Sequence, residues 1–466
     1  MAPMHRAALV AILLVALGLR IGYALDPADP QLPDSRGYAR IAQSLYQDGR
    51  FEQRGDFVPG EVQQSSNFSP GLPILVDGIY GLSGGVHPEL ARIVLALIGT
   101  LGVFLAYLLG LRLGGPVAGL VAALVVATYP ALLEYQGMIM TEPLAATLLA
   151  GALLAFFRAW DRGGAAAWAL CGLLLGLLAM VRPEYLLFGA LVPLAAALAA
   201  RARGSRRWGV PAAAAALAFV VVVLPWTIRN AVVLDRLVPI STGSGKVLYI
   251  GTYLPAGGDG NELRQELLEH DPSLRRRFVS ELQRPTQSDP WPLFSQQFPP
   301  AEGVGAAERL STRLPLQRVT YLERLLALVA ADRYPGTPTD QALSRMGRDN
   351  VRRYLGDDPL GFAGMMARKA ADAWKEGPRA TMLETGWRLW HGLVMVAAAL
   401  GLGLLAYRRR WEAIPIALLA LAATVLSAVL IASPRRVIVI LPVVAALAGT
   451  AVAWAAQRLR GRTAAP

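Results

Sequence analysis

Asp34 stands in Leu32-Pro33-Asp34-Ser35-Arg36-Gly37-Tyr38-Ala39-Arg40-Ile41-Ala42, directly after the first membrane-length apolar run, about 7-25. A carboxylate there sits at the mouth of a membrane bundle and faces water. It can take the proton of a hydroxyl group and so serve as a general base. Pro33 before it, and Tyr38, Ile41, Ala42 and Leu45 at helical spacing up to Gly49, predict a short amphipathic helix lying on the membrane surface. The plain alternative is an N-cap, a role that aspartate favours and that is compatible with catalysis.

A second acidic residue, Glu142, lies in Gln136-Gly137-Met138-Ile139-Met140-Thr141-Glu142-Pro143-Leu144 at the start of another apolar run. An ionisable group so close to hydrocarbon is costly unless it is paired or functional. Here too a capping role competes, since Pro143 would fall in the first helical turn.

Four arginines stand at the same ends of the apolar runs: Arg182 in Val181-Arg182-Pro183-Glu184, Arg229 in Trp226-Thr227-Ile228-Arg229-Asn230, and the pair Arg435 and Arg436. The guanidinium fork suits phosphate, so these residues are candidate ligands for a lipid phosphate. Snorkelling to headgroups is the alternative for any one of them. Arg20, about one turn inside the first run, could join them or neutralise a buried carboxylate.

One further motif fails. Ser241-Thr242-Gly243-Ser244-Gly245-Lys246-Val247 is close to a phosphate-binding loop, but Ile240 and Val247 replace the first glycine and the magnesium-binding hydroxyl. Its glycines could still allow a close backbone approach to a ligand. Asn67-Phe68-Ser69 fits a glycosylation sequon, a frequent chance match.

The elements that must position these groups are membrane helices. The chain has 466 residues, 54% of them hydrophobic, and repeated apolar runs of about 18 residues or more. The expected fold is all-α and polytopic, with about ten spans at about 7-25, 90-111, 116-133, 141-158, 165-181, 185-200, 209-228, 386-407, 412-431 and 434-456. The first run lacks a small-residue cleavage site and reads as a retained helix. Cys171, the only cysteine, excludes an intrachain disulfide and a cysteine metal cluster.

The formal net charge of +12 does not imply nucleic acid, because the arginines sit between helices rather than on one basic face. Arg112, Arg158, Arg162, Arg201, Arg203, Arg206, Arg207, Arg408 to Arg410 and Arg458 to Arg462 all fall on one side of the expected spans. That is the positive-inside pattern, which puts the N-terminus in the cytoplasm and Asp34 outside. Three parts follow as an expectation: a transmembrane catalytic module 1-229 with its first outer loop 26-89, an extracytoplasmic domain 230-385, and C-terminal helices with a tail, 386-466. Within the second part, turns are expected around Gly257 to Gly260, Arg284 to Pro292 and Pro335 to Pro338, and helices at about 305-332, 339-355 and 359-376.

In their order along the chain, Asp34 with Tyr38-Ala39-Arg40-Ile41-Ala42, Ser69-Pro70-Gly71-Leu72-Pro73, Thr141-Glu142-Pro143-Leu144 and Val181-Arg182-Pro183-Glu184 form a recognisable series. It continues with Arg229-Asn230, Val238-Pro239-Ile240-Ser241-Thr242, Tyr249-Ile250-Gly251-Thr252 and Pro434-Arg435-Arg436. The series resembles the GT-C superfamily of polyprenyl-phosphate-sugar glycosyltransferases, in the branch of protein O-mannosyltransferases and lipid A aminoarabinose transferases. Ser35 stands where that family often has a second acidic or polar group. The resemblance implies inverting sugar transfer from a polyprenyl-phosphate donor to a hydroxyl of a lipid, glycan or protein, at the outer face of a bacterial plasma membrane. It implies Asp34 and Glu142 as catalytic residues, and Arg20, Tyr38, Arg182, Arg229, Arg435 and Arg436 as substrate ligands. No cofactor and no obligatory metal are expected, because no His and carboxylate set has ligand spacing. A transporter or flippase for a lipid-linked substrate is the competing class.

Overall fold

The computed structural model describes residues 3–26, 32–52, 67–283, 319–375 and 377–463, and among these the chain is helical, without strands. It opens with α1 (Pro3–Leu25), α2 (Pro33–Asp48) and α3 (Gly71–Ser83). The amphipathic α2 ends as expected at Gly49, whose φ of 65° is a left-handed cap. Next come α4 (Pro88–Gly114) and α5 (Pro116–Thr128), which are separated by Gly115. After α5 the chain bends by 53° into α6 (Pro130–Glu134). Pro130 lacks the amide N–H that a continuing helix would need.

The bundle continues with α7 (Thr141–Arg162), α8 (Ala165–Val181), α9 (Leu186–Ala202) and α10 (Gly209–Leu234). A Cβ on Gly172 would lie 2.1 Å from the Ala215 carbonyl oxygen, so glycine is what lets α8 and α10 touch backbone to backbone. A second group of helices follows: α11 (Ser244–Thr252), α12 (Gly260–His270), α13 (Pro272–Gln283), α14 (Val319–Arg333), α15 (Thr339–Asp357) and α16 (Pro359–Lys375). Its apolar core is formed by Tyr249, Ile250, Leu263, Leu322, Leu326, Leu343 and Met346. The bundle then closes with α17 (Thr385–Tyr407), α18 (Ala413–Val429), α19 (Arg435–Val439) and α20 (Leu441–Thr463).

Six described helices are long and apolar enough to cross a membrane, or seven if the bent pair counts as one span, against the ten expected. The difference has physical causes. α8 and α18 have 17 residues each, about 25 Å at 1.5 Å per residue, the lower edge of a span. The run at 434-456 is broken at Ile440 into α19 and α20. In the second group, α15 and α16 match expectation, α14 covers all of the expected 305-332 that is described, and α11 to α13 are not among the expected helices. The rest of that expected helix and the turns from Arg284 to Pro292 lie outside the described residues. On α10, Leu217, Val221 and Leu224 are exposed, a surface suited to lipid rather than water.

One end of the bundle is pinned by Arg112, which donates to Asp161 at 2.7 Å and to Glu412 at 3.1 Å and lies over the rings of Phe157 and Trp411. The opposite end gathers the starts of α2, α7 and α19 and the turn after α8.

Candidate active site

Four charged groups from four elements meet at that opposite end. Arg435, the first residue of α19, donates through Nη1 to Asp34 Oδ2 at 2.6 Å and through Nε to Glu142 Oε1. Arg182, which follows α8, donates through Nη2 to the same Glu142 oxygen at 2.8 Å. Its Nη1 also lies 3.7 Å from Glu184. Glu142 is fully buried, whereas the Asp34 side chain is 38% exposed. The first carboxylate is therefore a structural hub, and the second faces an opening.

Local sequence sets these positions. α2 begins at Pro33, and Leu32 is its N-cap without a side-chain bond, so Asp34 lies inside the first turn and does not cap. Ser35 Oγ accepts from Ile139 N at 3.1 Å, which fastens α2 to the segment leading into α7. Gly37 leaves room for the Phe68 ring, whose atoms would come within 2.6 Å of a Cβ there. Tyr38 meets Phe68 edge-on at 4.9 Å. Ser69, the last residue of the sequon, is buried and donates to Val181 O at 2.7 Å, next to Arg182. Across the α19 break, Pro434 and Pro442 flank the short helix that carries Arg435.

Burial would raise the Asp34 carboxyl, but Arg435, with Lys246 and Arg182 behind it, holds it below the usual carboxylate range. Tyr38 moves the other way, pushed up by burial and then by the Asp34 charge. Two polar atoms beside the cluster, Arg182 Nε and Tyr135 Oη, are buried without a hydrogen-bond partner among the described residues. They are free to bond a group that enters.

Of the remaining candidates, Arg436 sits at the edge of the cluster, within electrostatic reach of Glu184, Arg182 and Arg435, whereas Arg229 and Arg20 lie elsewhere. Arg436 donates to Ile431 O at 2.8 Å and borders an open pocket between the 183–188 stretch and α18, lined by Tyr185, Phe188, Leu419, Ala423 and Leu426. Arg229 donates to Asn230 Oδ1 at 3.0 Å and lies over the Trp226 and Phe51 rings at 4.8 Å and 5.6 Å. Arg20 is buried and donates to Val126 O at 2.8 Å and Ala127 O at 3.1 Å, where the bend after α5 leaves carbonyls open. It serves that helix end and joins neither Asp34 nor Glu142.

Sequence reasoning missed Lys246, which pairs with Glu323 of α14 and lies within electrostatic reach of Asp34. Its signal was present in the rejected glycine-rich motif. That motif's glycines serve packing: a Cβ on Gly245 would lie 2.1 Å from Asp340 O of α15. Among the described residues no group of three or more His, Cys, Asp or Glu could hold a metal ion.

Residues 69–226 match the profile of the dolichyl-phosphate-mannose-protein mannosyltransferase family. The fold is similar to that of the Archaeoglobus fulgidus oligosaccharyltransferase in its apo form, with a TM-score of 0.55 and 17% identity over 99% of this chain and 51% of that one. The archaeal oligosaccharyltransferase AglB from the same organism, in complex with an inhibitory peptide and a dolichol-phosphate, gives 0.54 and 16% over 99% and 51%. ArnT from Cupriavidus metallidurans bound to undecaprenyl phosphate aligns at 0.38 and 16% over 98% and 79%. The chain spans about half the length of the oligosaccharyltransferase chains it matches. No curated protein matches it in sequence. The overall fold is thus similar to that of these oligosaccharyltransferases, and the stretch 69–226 carries the mannosyltransferase-family match.

Proposed function

We propose that the chain is an integral membrane glycosyltransferase that moves a sugar from a polyprenyl-phosphate donor to a hydroxyl acceptor on a lipid, glycan or protein. The observation that carries this reading is the partly open carboxylate of Asp34 joined through Arg435 to the buried Glu142 and Arg182. The family match, and the dolichol-phosphate in one structure of similar fold, favour a lipid-linked donor.

A sugar linked through phosphate to a polyprenol carries its own activation, so no nucleotide is needed. In the resting cluster Arg435 lowers the basicity of Asp34. An arriving phosphate competes for that guanidinium, because a doubly bonded arginine–phosphate contact is among the stronger charge-assisted pairs. As Arg435 turns toward the phosphate, Asp34 loses its partner and becomes a better base. It then takes the acceptor proton while the hydroxyl oxygen attacks the anomeric carbon, and the phosphate leaves with the bonding electrons, offset by the arginines. One such displacement inverts the anomeric centre. Tyr38 is suited to the sugar side of Asp34, and Arg436 to a phosphate whose apolar tail lies in the pocket beside Tyr185 and Leu419. The arginine-rich helix ends favour an extracytoplasmic site in a bacterial plasma membrane.

The test is to incubate the purified chain in nanodiscs with polyprenyl-phosphate sugars and candidate acceptors. Free polyprenyl phosphate should accumulate with the wild type. A transporter would carry the donor across a bilayer and return it intact.

A further inference from the structure

The Lys246–Glu323 pair lies at the edge of the Asp34 cluster and has no part in the reaction outlined above. Lysine is scarce here, occurring only at positions 246, 369 and 375 in a chain with 45 basic residues. Two ties fix where Lys246 sits. Val247 O, its neighbour, accepts from Ile431 N at 3.0 Å, and Ile431 O accepts from Arg436 at 2.8 Å. On the other side, Thr242 Oγ1 donates to Asn67 Oδ1 at 2.9 Å, beside the Phe68 ring that packs on Tyr38. The ammonium is thus held between the stretch that carries Arg435 and the helix that carries Asp34.

Charge explains why this position matters. Asp34, Glu142 and Glu184 balance Arg182, Arg435 and Arg436, three negative against three positive, so an incoming phosphate anion adds a charge that the cluster does not neutralise. Lys246 can supply the missing cation only by leaving Glu323. Both side chains are reachable, at 30% and 25% exposure. Burial opposes the lysine charge, yet Glu323 and Asp34 more than offset it and hold the ammonium above its usual value.

Building on the function proposed above, we propose that Lys246 is a further ligand of the donor phosphate and that Glu323 is its resting counter-ion, exchanged for phosphate when donor binds. Glu323 belongs to α14. The exchange therefore makes the ion pair that anchors α14 to α11 depend on whether the donor is present.

The test is titration of purified protein in nanodiscs with undecaprenyl phosphate, for the wild type, Lys246→Met, Lys246→Arg, Glu323→Gln and the double variant Lys246→Met with Glu323→Gln. Lys246→Met should weaken binding about tenfold or more, and Lys246→Arg should keep most of it. Glu323→Gln should tighten binding, because phosphate no longer competes with a carboxylate. The double variant should match Lys246→Met, since Glu323 acts only through the lysine. If Lys246→Met does not insert, Glu323→Gln still decides, since it should bind more tightly than wild type. Wild-type binding that is unchanged in the variants, or weakened by Glu323→Gln, overturns this inference and leaves the proposed function standing. A wild type that binds no polyprenyl phosphate overturns both.

Discussion

Arg435 Nη1 donates to Asp34 Oδ2 at 2.6 Å across 401 positions of sequence, so the first surface helix and the last membrane segment are closed on each other by one charged bond. The same guanidinium holds Glu142 with its Nε. On the proposed mechanism this bond is a resting state that donor phosphate must open.

Replacing Asp34 by Asn is expected to leave the protein inserted and folded while lowering sugar transfer by about a hundredfold to ten-thousandfold, the usual worth of a general base. The amide oxygen can still accept from Arg435, and the site is partly open, so little stability is at stake. Transfer assays on reconstituted variant, with insertion measured in parallel, check this. Wild-type turnover in Asp34→Asn removes the base assignment.

The pH dependence follows from the same pair. Arg435 holds the Asp34 carboxyl down in the free protein, so the acid limb of kcat/KM should fall below the range of an ordinary aspartate. On the proposed mechanism Arg435 turns to phosphate when donor binds, so the acid limb of kcat should lie at higher pH than that of kcat/KM. The stabilising contribution of the ionised pair has the corresponding sign: it is complete above the unfolded carboxyl value and is lost as pH falls through the depressed folded one. Coincident limbs in steady-state profiles of the two parameters would argue against the exchange of partners.

Much of this was legible in the chain. Asp34, Glu142, Arg182 and Arg435 announced themselves because a charge at the end of an apolar run needs a reason. What periodicity could not convey was pairing. The cap that competes with a base at Asp34 falls away because the helix starts at Pro33, and Arg20, a candidate ligand by sequence, bonds carbonyls left open by the bend at Pro130. Lys246 was set aside with a failed motif, because its relation to Asp34 exists only in three dimensions. The polar helix α12 was missed despite a usable signal, Asp259 three residues before Glu262, where Asp259 does cap by accepting from Asn261 N at 2.7 Å and Glu262 N at 3.1 Å.

Orientation in the membrane is tested with single cysteines in a Cys171→Ser background. Arg206 and Arg352 are both exposed, and the arginine-rich helix ends assign them to opposite sides, with Arg352 outside. Arg206→Cys should resist a membrane-impermeant thiol reagent in intact cells, and Arg352→Cys should react. Labelling of both from one side overturns the topology and the outward-facing site with it.

The final expectation separates hub from base. Glu142 is fully buried and accepts from two arginines, Arg182 and Arg435, whereas Asp34 is partly exposed and accepts from Arg435. Glu142→Gln leaves two guanidinium groups facing a neutral amide in a water-poor site, and breaking a buried pair in this way typically costs about 3 to 5 kcal/mol. The variant should therefore unfold at clearly lower temperature than Asp34→Asn in the same detergent. Adding Arg182→Gln to Glu142→Gln should cost less than the sum of the two single changes, because the second substitution removes a charge that the first had stranded. Thermal unfolding of the four proteins, wild type, both singles and the double, measures the coupling. Strict additivity would mean that Glu142 and Arg182 do not act as a unit, and the buried half of the site would lose its structural role.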